Sequence, residues 1–326
     1  MIDVLFLLLP GSLILDWAGP AEALRIANGL LREQGKPAAF KLRFAAPRPE
    51  SMSSVGVQLA GLEALPGTLA PHASWLVLVG QAGTRIGVDT PDTRALLDWL
   101  RPLALVPDQL ELVTICAGAV LAAHAGLLTG RRATTHHHHL DELQRVAPGC
   151  DVVRNRVFVE DAPVYSSAGV TTGLDLILHR IEAICGPALA AQVAQTMVVA
   201  LRRGPHDPEL SPFLAYRNHI HPALHRVQDA VSQSPQTDWS VPAMAAVAHT
   251  SPRHLTRLFL EYAQIAPLQY LRRIRLAVAQ AALASGDSVT EAAAAAGFSS
   301  DTQLRRAWQH FAVPGTPSRP AGEGVG

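Results

Sequence analysis

Two stretches in the last third of the chain repeat one another, and this restricts the possible folds more than any other feature. SVPAMAAVAHTSPRHLTRLFLEYAQIAP begins at Ser240, and SVTEAAAAAGFSSDTQLRRAWQHFAVPG begins at Ser288. Each opens with Ser-Val and continues as an Ala-rich helical pattern. Each then turns, at His249-Thr250-Ser251 or Gly297-Phe298-Ser299, and enters a second helical pattern. Leu255, Arg257 and Phe259 match Leu304, Arg306 and Gln309 or Trp308 only approximately, so the pattern repeats rather than the sequence. Small Ala side chains let the second helix cross the first closely over a short turn, as a helix-turn-helix requires. Ser251-Pro252 and Ser300 suit the N-cap and first-turn positions of the second helices. Between the units, Leu271–Ala284 reads as one long helix carrying Arg272, Arg273 and Arg275.

The second helix of each unit carries the chemistry. Arg253, His254, Thr256 and Arg257 populate the polar side of the first, and Asp301, Thr302, Gln303, Arg305 and Arg306 that of the second. In a major groove, Arg bonds guanine O6 and N7, Gln bonds adenine, and Thr reaches base edges or phosphates. One such unit is equally well a helical hairpin with a solvated Arg face, or an interaction module without DNA affinity. Two units joined by an Arg-bearing helix favour DNA. Net charge does not: Lys+Arg and Asp+Glu are both 27. From His221 onward there are nine Arg and no Lys against seven Asp and Glu, a modest excess. The basic residues matter through placement rather than number.

The first ~200 residues read differently. Short apolar runs at Val4–Leu9, Lys41–Ala45, Trp75–Val79, Leu110–Ile115, Arg156–Val159 and Val164–Ser166 read as strands. Helical patterns at Gly19–Leu31, Leu96–Leu100, Gly118–Ala125, Thr172–Ile184 and Ala188–Ala200 alternate with them. Uninterrupted apolar strands between helices predict a mostly parallel sheet covered on both faces. RRGPHDPELSP, Arg202–Pro212, reads as a linker. The expected organisation is therefore an α/β domain over 1–201, a linker over 202–218 and an all-α domain over 219–326. Pro314–Gly326 is expected to be a partly disordered tail. Val4–Leu9 is too short for a signal peptide core, Asp3 stands where positive charge belongs, and no apolar window spans a membrane. The expected location is the cytoplasm, with no membrane partner. A hydrophobic fraction of 48% excludes a largely disordered chain, and three scattered Cys exclude a disulfide scaffold or four-cysteine zinc site.

LVTICAGA, Leu112–Ala119, puts Cys116 where strand turns sharply into helix. Such an elbow exposes the thiol at the carboxyl edge of the sheet and can lower its pKa, the alternative being a buried, inert Cys at the sheet edge. Asp16, Glu22, Gly80 and the His136–His139 run would lie at the same edge, where parallel sheets bind ligands. Four successive His invite a metal reading. That reading is set aside, because consecutive residues of a strand or helix point in different directions. No metal or cofactor is expected.

The C-terminal segments SPRHLTRLF, P-x-x-YLRRIRL and AAAAAGFSS...LRRAW resemble, in order and spacing, the AraC/XylS-type DNA-binding domain. The resemblance implies two recognition helices in successive major grooves of double-stranded promoter DNA. Carried over by position, the DNA-binding residues are Arg253, His254, Thr256, Arg257, Arg272, Thr302, Gln303, Arg305 and Arg306. The segments LPGSLILDWAGPAEALR, ICAGAVLAAHAGLLTGRRATTH and YSSAGVTTGLDLIL resemble the DJ-1/PfpI group, related in fold to class I glutamine amidotransferases. Together they resemble GlxA-type AraC-family transcriptional regulators over nearly the whole chain. This implies a flavodoxin-like sheet with Cys116 beside an acid, Glu22 or Asp16, and a His, His136. Enzymatic relatives carry Gly-Gly after strand three where this chain has Gly80-Gln81, and amidotransferase elbows carry Gly where it has Thr114. No catalytic residue is therefore expected, Cys116, His136 and Glu22 being vestigial candidates. Asp16, Glu22, Gly80, Cys116, Ala117, His136 and Thr171 are the expected pocket for a small-molecule effector, with Thr172 at its rim. A homodimer is expected, with RNA polymerase a further candidate partner. The alternative is a Cys-dependent amidase, hydratase or glyoxalase-like enzyme.

Overall fold

A six-stranded sheet organises the first of two compact units, Met1–Glu209 and Leu210–Gly326. The computed structural model describes residues 1–69, 73–199, 203–205, 209, 211–284, 286–313 and 315–320. The strands are β1 (Ile2–Leu7), β2 (Phe40–Ala45), β3 (Ser74–Leu78), β4 (Leu110–Ile115), β5 (Phe158–Asp161) and β6 (Val164–Ser167). Their spatial order is β2-β1-β3-β4-β6-β5. All neighbours are parallel except β5 and β6, which form an antiparallel hairpin at one edge. β1 and β3 are buried along their whole length, as expected of strands covered on both faces.

Helices α1 (Ile14–Glu33), α2 (Pro91–Leu100), α3 (Gly118–His124), α4 (Leu140–Val146), α5 (Thr171–Cys185) and α6 (Pro187–Thr196) accompany this sheet. Among the largest side chains closed off from solvent are Phe6, Phe40, Trp75 and Phe158. A buried ion pair crosses one flank: Arg180 of α5 bonds Glu111 of β4 and lies 3.8 Å over the Tyr165 ring. The helix expected over Ala188–Ala200 ends at Thr196, and Val198 turns into the left-handed region.

Strand register explains how distant residues meet. Leu7 pairs Leu78, Leu78 pairs Thr114, and Thr114 pairs Ser166. These carboxyl ends form one row, so Gly80, Cys116 and Ala168, each two residues further on, emerge together.

The linker expected over 202–218 is only partly that. Residues 202, 206–208 and 210 lie outside the described residues, as do 314 and 321–326 of the expected tail. Arg203 is bonded to Asp175 of α5, and Glu209 to His137. Pro212–Ala215 forms a short helix, α7, and Phe213 and Tyr216 pack on a core of the second unit. A proline at a helix start surrenders no needed N–H, so the proline count that suggested a linker was compatible with a helix.

The second unit continues with α8 (Pro222–Gln233), α9 (Val241–Val247), α10 (Pro252–Leu258), α11 (Pro267–Ala284), α12 (Val289–Ala295) and α13 (Asp301–His310). Among the described residues it has two separate hydrophobic cores. Leu255, Phe259, Tyr270 and Ile274 belong to the first, while Leu276, Ala279, Leu304 and Trp308 belong to the second. The long helix α11 thus serves one core with its first half and the other with its second. The repeat is evident in the backbone. Ser240, Ser251, Ser288 and Ser300 each accept, through their side chains, a backbone N–H three residues on, closing the starts of α9, α10, α12 and α13. His249 and Gly297, at matching turns, both adopt left-handed φ, 53° and 79°. A side chain at Gly297 would lie 2.4 Å from Gln236 Cα, so the second turn requires glycine. The first recognition helix ends at Leu258. After Leu258 the chain widens into a π-helical turn, Phe259–Ala263, ended by left-handed Gln264.

Candidate functional site

The recognition helices present their polar faces to solvent. Arg253 and Arg257 of α10, and Thr302, Gln303, Arg305 and Arg306 of α13, are exposed, and His254 and Thr256 are half-buried. Leu255, Leu258, Leu304 and Trp308 hold the opposite faces in the two cores. Arg253, Arg272, Arg305 and Arg306 have no ion-pair partner among the described residues, and they leave full guanidinium forks for a polyanion. Arg257 instead bonds His254 Nδ1 at 2.9 Å, and Thr256 bonds back to the Pro252 carbonyl. Arg272, Gln303, Arg306 and His310 line a groove of about 510 Å³ between α11 and α13, with Trp239 and Phe298 among its apolar walls. The other two arginines of α11 are structural. Arg275 donates to the carbonyls of Pro235 and Thr237, and Arg273 stacks 4.3 Å from the Phe311 ring.

In the first unit the sheet's carboxyl row builds a tight elbow. Cys116 has φ 57°, and its backbone N–H donates to the Ser167 carbonyl. The Thr135 hydroxyl donates to the Cys116 carbonyl at 2.8 Å. Glycines press on it from three sides. A Cβ at Gly169 would stand 2.2 Å from Cys116 Cβ, one at Gly80 2.9 Å from it, and one at Gly118 2.0 Å from the Leu78 carbonyl oxygen. Asp16, fully buried in the first turn of α1, closes the remaining side. Its carboxylate accepts N–H bonds from Val170 at 2.8 Å and Gly80 at 3.1 Å and shares a hydrogen bond with the Cys116 thiol. Burial pushes the Asp16 carboxyl up to about 6 despite those bonds.

This geometry corrects several expectations. Cys116 is only 4% exposed, and burial, followed by the Asp16 charge, pushes its pKa well above the ordinary thiol value. Of the two readings the structure takes the buried, inert one, because the elbow is closed off from solvent and packed against a carboxylate rather than against a cation. Glu22 is not at the elbow. It lies exposed on α1, paired with Arg25 at 2.5 Å, which lowers its pKa. Asp16 and Glu22 are six residues apart, roughly 240° around a helix, so only one can face the sheet. Ala117 is buried behind the thiol, whereas Thr171 is exposed and accepts a bond from Arg203. Thr172 is buried, its hydroxyl donating to the Gly169 carbonyl. Gly169, Val170 and Thr135 complete the elbow but were not singled out from sequence. The SSAGVTTG run after β6, where a glycine follows a strand end, was the available signal.

His136 is half-buried and its pKa is pushed down to about 4, by burial and then by the neighbouring His rings. The His run does not diverge as a strand or helix would. His136 caps a 3-10 turn, His137–His139, and the rings of His136, His137 and His138 gather together. His137 Nδ1 lies 2.7 Å from Glu209, and the buried His139 bonds Glu142 at 2.8 Å.

A flavodoxin-like unit with a cysteine elbow, followed by paired helix-turn-helix units bearing exposed arginines, defines a DNA-binding regulator class. Comparison with known proteins agrees. Residues 69–183 match the DJ-1/PfpI family and residues 244–312 the helix-turn-helix domain family. The chain is 29% identical to the HTH-type transcriptional regulator CdhR of Pseudomonas aeruginosa over 94% of its own length and 88% of that protein's. It is also 29% identical to the HTH-type transcriptional regulator GlxA of Rhizobium meliloti, over 97% and 95%. An isonitrile hydratase of Pseudomonas putida is 31% identical over 45% of this chain and 61% of that one. A solved Vibrio parahaemolyticus protein shares the fold over 60% of this chain and 98% of its own, with TM-score 0.50 and 21% identity. The chain thus carries a DJ-1/PfpI domain followed by a helix-turn-helix domain, and over nearly its whole length it is similar to HTH-type transcriptional regulators. No helix among the described residues is long and apolar enough to cross a membrane.

Proposed function

We propose that this regulator reads promoter DNA with α10 and α13 and is controlled by a small molecule bound at the carboxyl edge of the first unit's sheet. The observation that carries the DNA reading is the exposed set Arg253, Thr302, Arg305 and Arg306, each on a helix whose other face is fixed in its own core. Arg257, Gln303 and Arg272 add further donors, with His254 and Thr256 beside them. Base-edge contacts by the Arg and Gln residues supply specificity, and phosphate contacts supply salt-dependent affinity. The test is fluorescence anisotropy of the full chain on DNA from its own upstream regions. Specific binding that weakens steeply with salt supports the reading, and indifference to sequence and salt defeats it.

The effector reading rests on the carboxyl edge itself. Buried hydroxyls of Thr114, Thr134 and Ser167 have no hydrogen-bond partner among the described residues. Unpaired buried hydroxyls cost free energy unless a ligand or water takes them up. Asp16, Gly80, Cys116 and Ala117 form the floor of this region, with His136 and Thr171 as further candidates for its boundary. An effector acts here only through unequal affinity for two arrangements of the protein, and dimerisation through the first unit is one such arrangement.

Catalysis is the second reading, favoured by the elbow and by the likeness to an isonitrile hydratase. Cys116 is neutral, buried and paired with a carboxylate, the opposite of an activated nucleophile. We therefore assign it a structural place in the effector region rather than turnover.

A further inference from the structure

One side-chain cluster in the first unit offers chemistry that neither DNA reading nor the cysteine elbow uses. The ligating nitrogens of His136, His137 and His138 all lie within 4.8 Å of one another. Their ring centroids are 4.1, 4.3 and 4.9 Å apart for the 136–137, 137–138 and 136–138 pairs. The convergence comes from the turn: His136 is extended (φ −53°, ψ 138°) and the next residues wind into a 3-10 turn. His139 leaves the group and is spoken for by Glu142.

The second observation is Glu209. One of its oxygens accepts both the backbone N–H of His137, at 3.0 Å, and the ring Nδ1, at 2.7 Å. The Glu209 side chain is only 6% exposed. A carboxylate on one ring nitrogen fixes the tautomer, leaves Nε2 as a lone-pair donor and raises its basicity, as in metal sites with an outer carboxylate.

We propose that His136, His137 and His138 form a site for one divalent transition-metal ion, zinc foremost, with Glu209 orienting His137 from the outer shell. Three imidazoles and a water complete a tetrahedron around zinc. Nitrogens bonded to zinc in that geometry stand about 3.4 Å apart. Side-chain rotation brings them there, and His138, being exposed, is free to turn. An all-imidazole set selects zinc, copper or nickel over calcium and magnesium. Glu209 is the last residue of the first unit, so an ion held here would tighten a bond on the segment that leaves it.

The experiment uses the full chain, purified without an added His tag and stripped with a chelator. Zinc is titrated by calorimetry, and cobalt(II) serves as the spectroscopic probe. The expected result is one ion per chain at micromolar or tighter affinity, with the intense visible bands of tetrahedral cobalt. His138→Ala, at an exposed position that leaves the core intact, and His137→Ala each weaken binding by roughly 10–100-fold or more, and Glu209→Gln by roughly 10–100-fold. His310→Ala, on α13, leaves it unchanged. Absence of stoichiometric binding, or binding that survives both His138→Ala and His137→Ala in folded protein, overturns the proposal.

Discussion

The backbone N–H of Val170 donates to Oδ1 of Asp16 across 2.8 Å, tying together residues 154 positions apart in the chain. Val170 is β-branched and sits at φ 53°, a conformation that costs of order 1–3 kcal/mol and persists only where its surroundings enforce it. Asp16 does so while also accepting from Gly80 and touching the Cys116 thiol. One buried carboxylate therefore organises the ends of three strands.

That role makes Asp16 a pH-dependent element of stability. Its folded pKa, about 6, lies above the ordinary carboxylate value of 3.8. Between the two values the folded state holds the proton more tightly, so this group's contribution to stability falls as pH rises from about 4 to about 6. The loss is on the order of 3 kcal/mol. In denaturant unfolding of the first unit at a series of pH values, Asp16→Asn should remove this slope.

Gly169 should tolerate no side chain. Its φ of 95° is strained for any other residue, and an added Cβ meets Cys116. Gly169→Ala is expected to destabilise the first unit by about 2–5 kcal/mol, from backbone strain together with overpacking. Thermal unfolding with DNA binding as a parallel readout checks this, since the second unit should keep its own melting behaviour.

Arginines of the second unit divide by what they touch. Arg306→Ala is expected to weaken specific DNA binding by about 1–3 kcal/mol, and a phosphate-contacting arginine to lower the salt slope by about 1. Arg275→Ala should act on stability instead, because it strips the Pro235 and Thr237 carbonyls of their donor. Anisotropy titrations and thermal melts of the two variants separate the roles.

Cys116 should be an unreactive thiol. Near neutral pH it is expected to alkylate more slowly than the half-buried Cys185, and Cys116→Ser should leave DNA affinity unchanged. Mass-spectrometric mapping of iodoacetamide labelling at short times measures the order. Rapid, selective labelling of Cys116 would put the enzyme reading ahead of the effector reading.

Sequence by itself determined the local elements: the buried strands, the serine caps of α10 and α13 and the doubled helix-turn-helix, whose signals lie within a turn or two of the residues they organise. It also placed the arginines, because helical spacing alone separates the faces of α10 and α13. Tertiary structure decided which of Asp16 and Glu22 meets the elbow, since that depends on which face α1 buries. It also decided that Cys116 would be sealed and its pKa raised, since Gly80, Asp16 and Gly169 arrive from three distant segments through strand register. The His run followed the same division. Its composition was visible, but its direction depended on a 3-10 turn held by Glu209, 72 residues away from His137. Short-range preferences are written in neighbouring side chains, whereas burial and charge environment exist only once remote segments have packed.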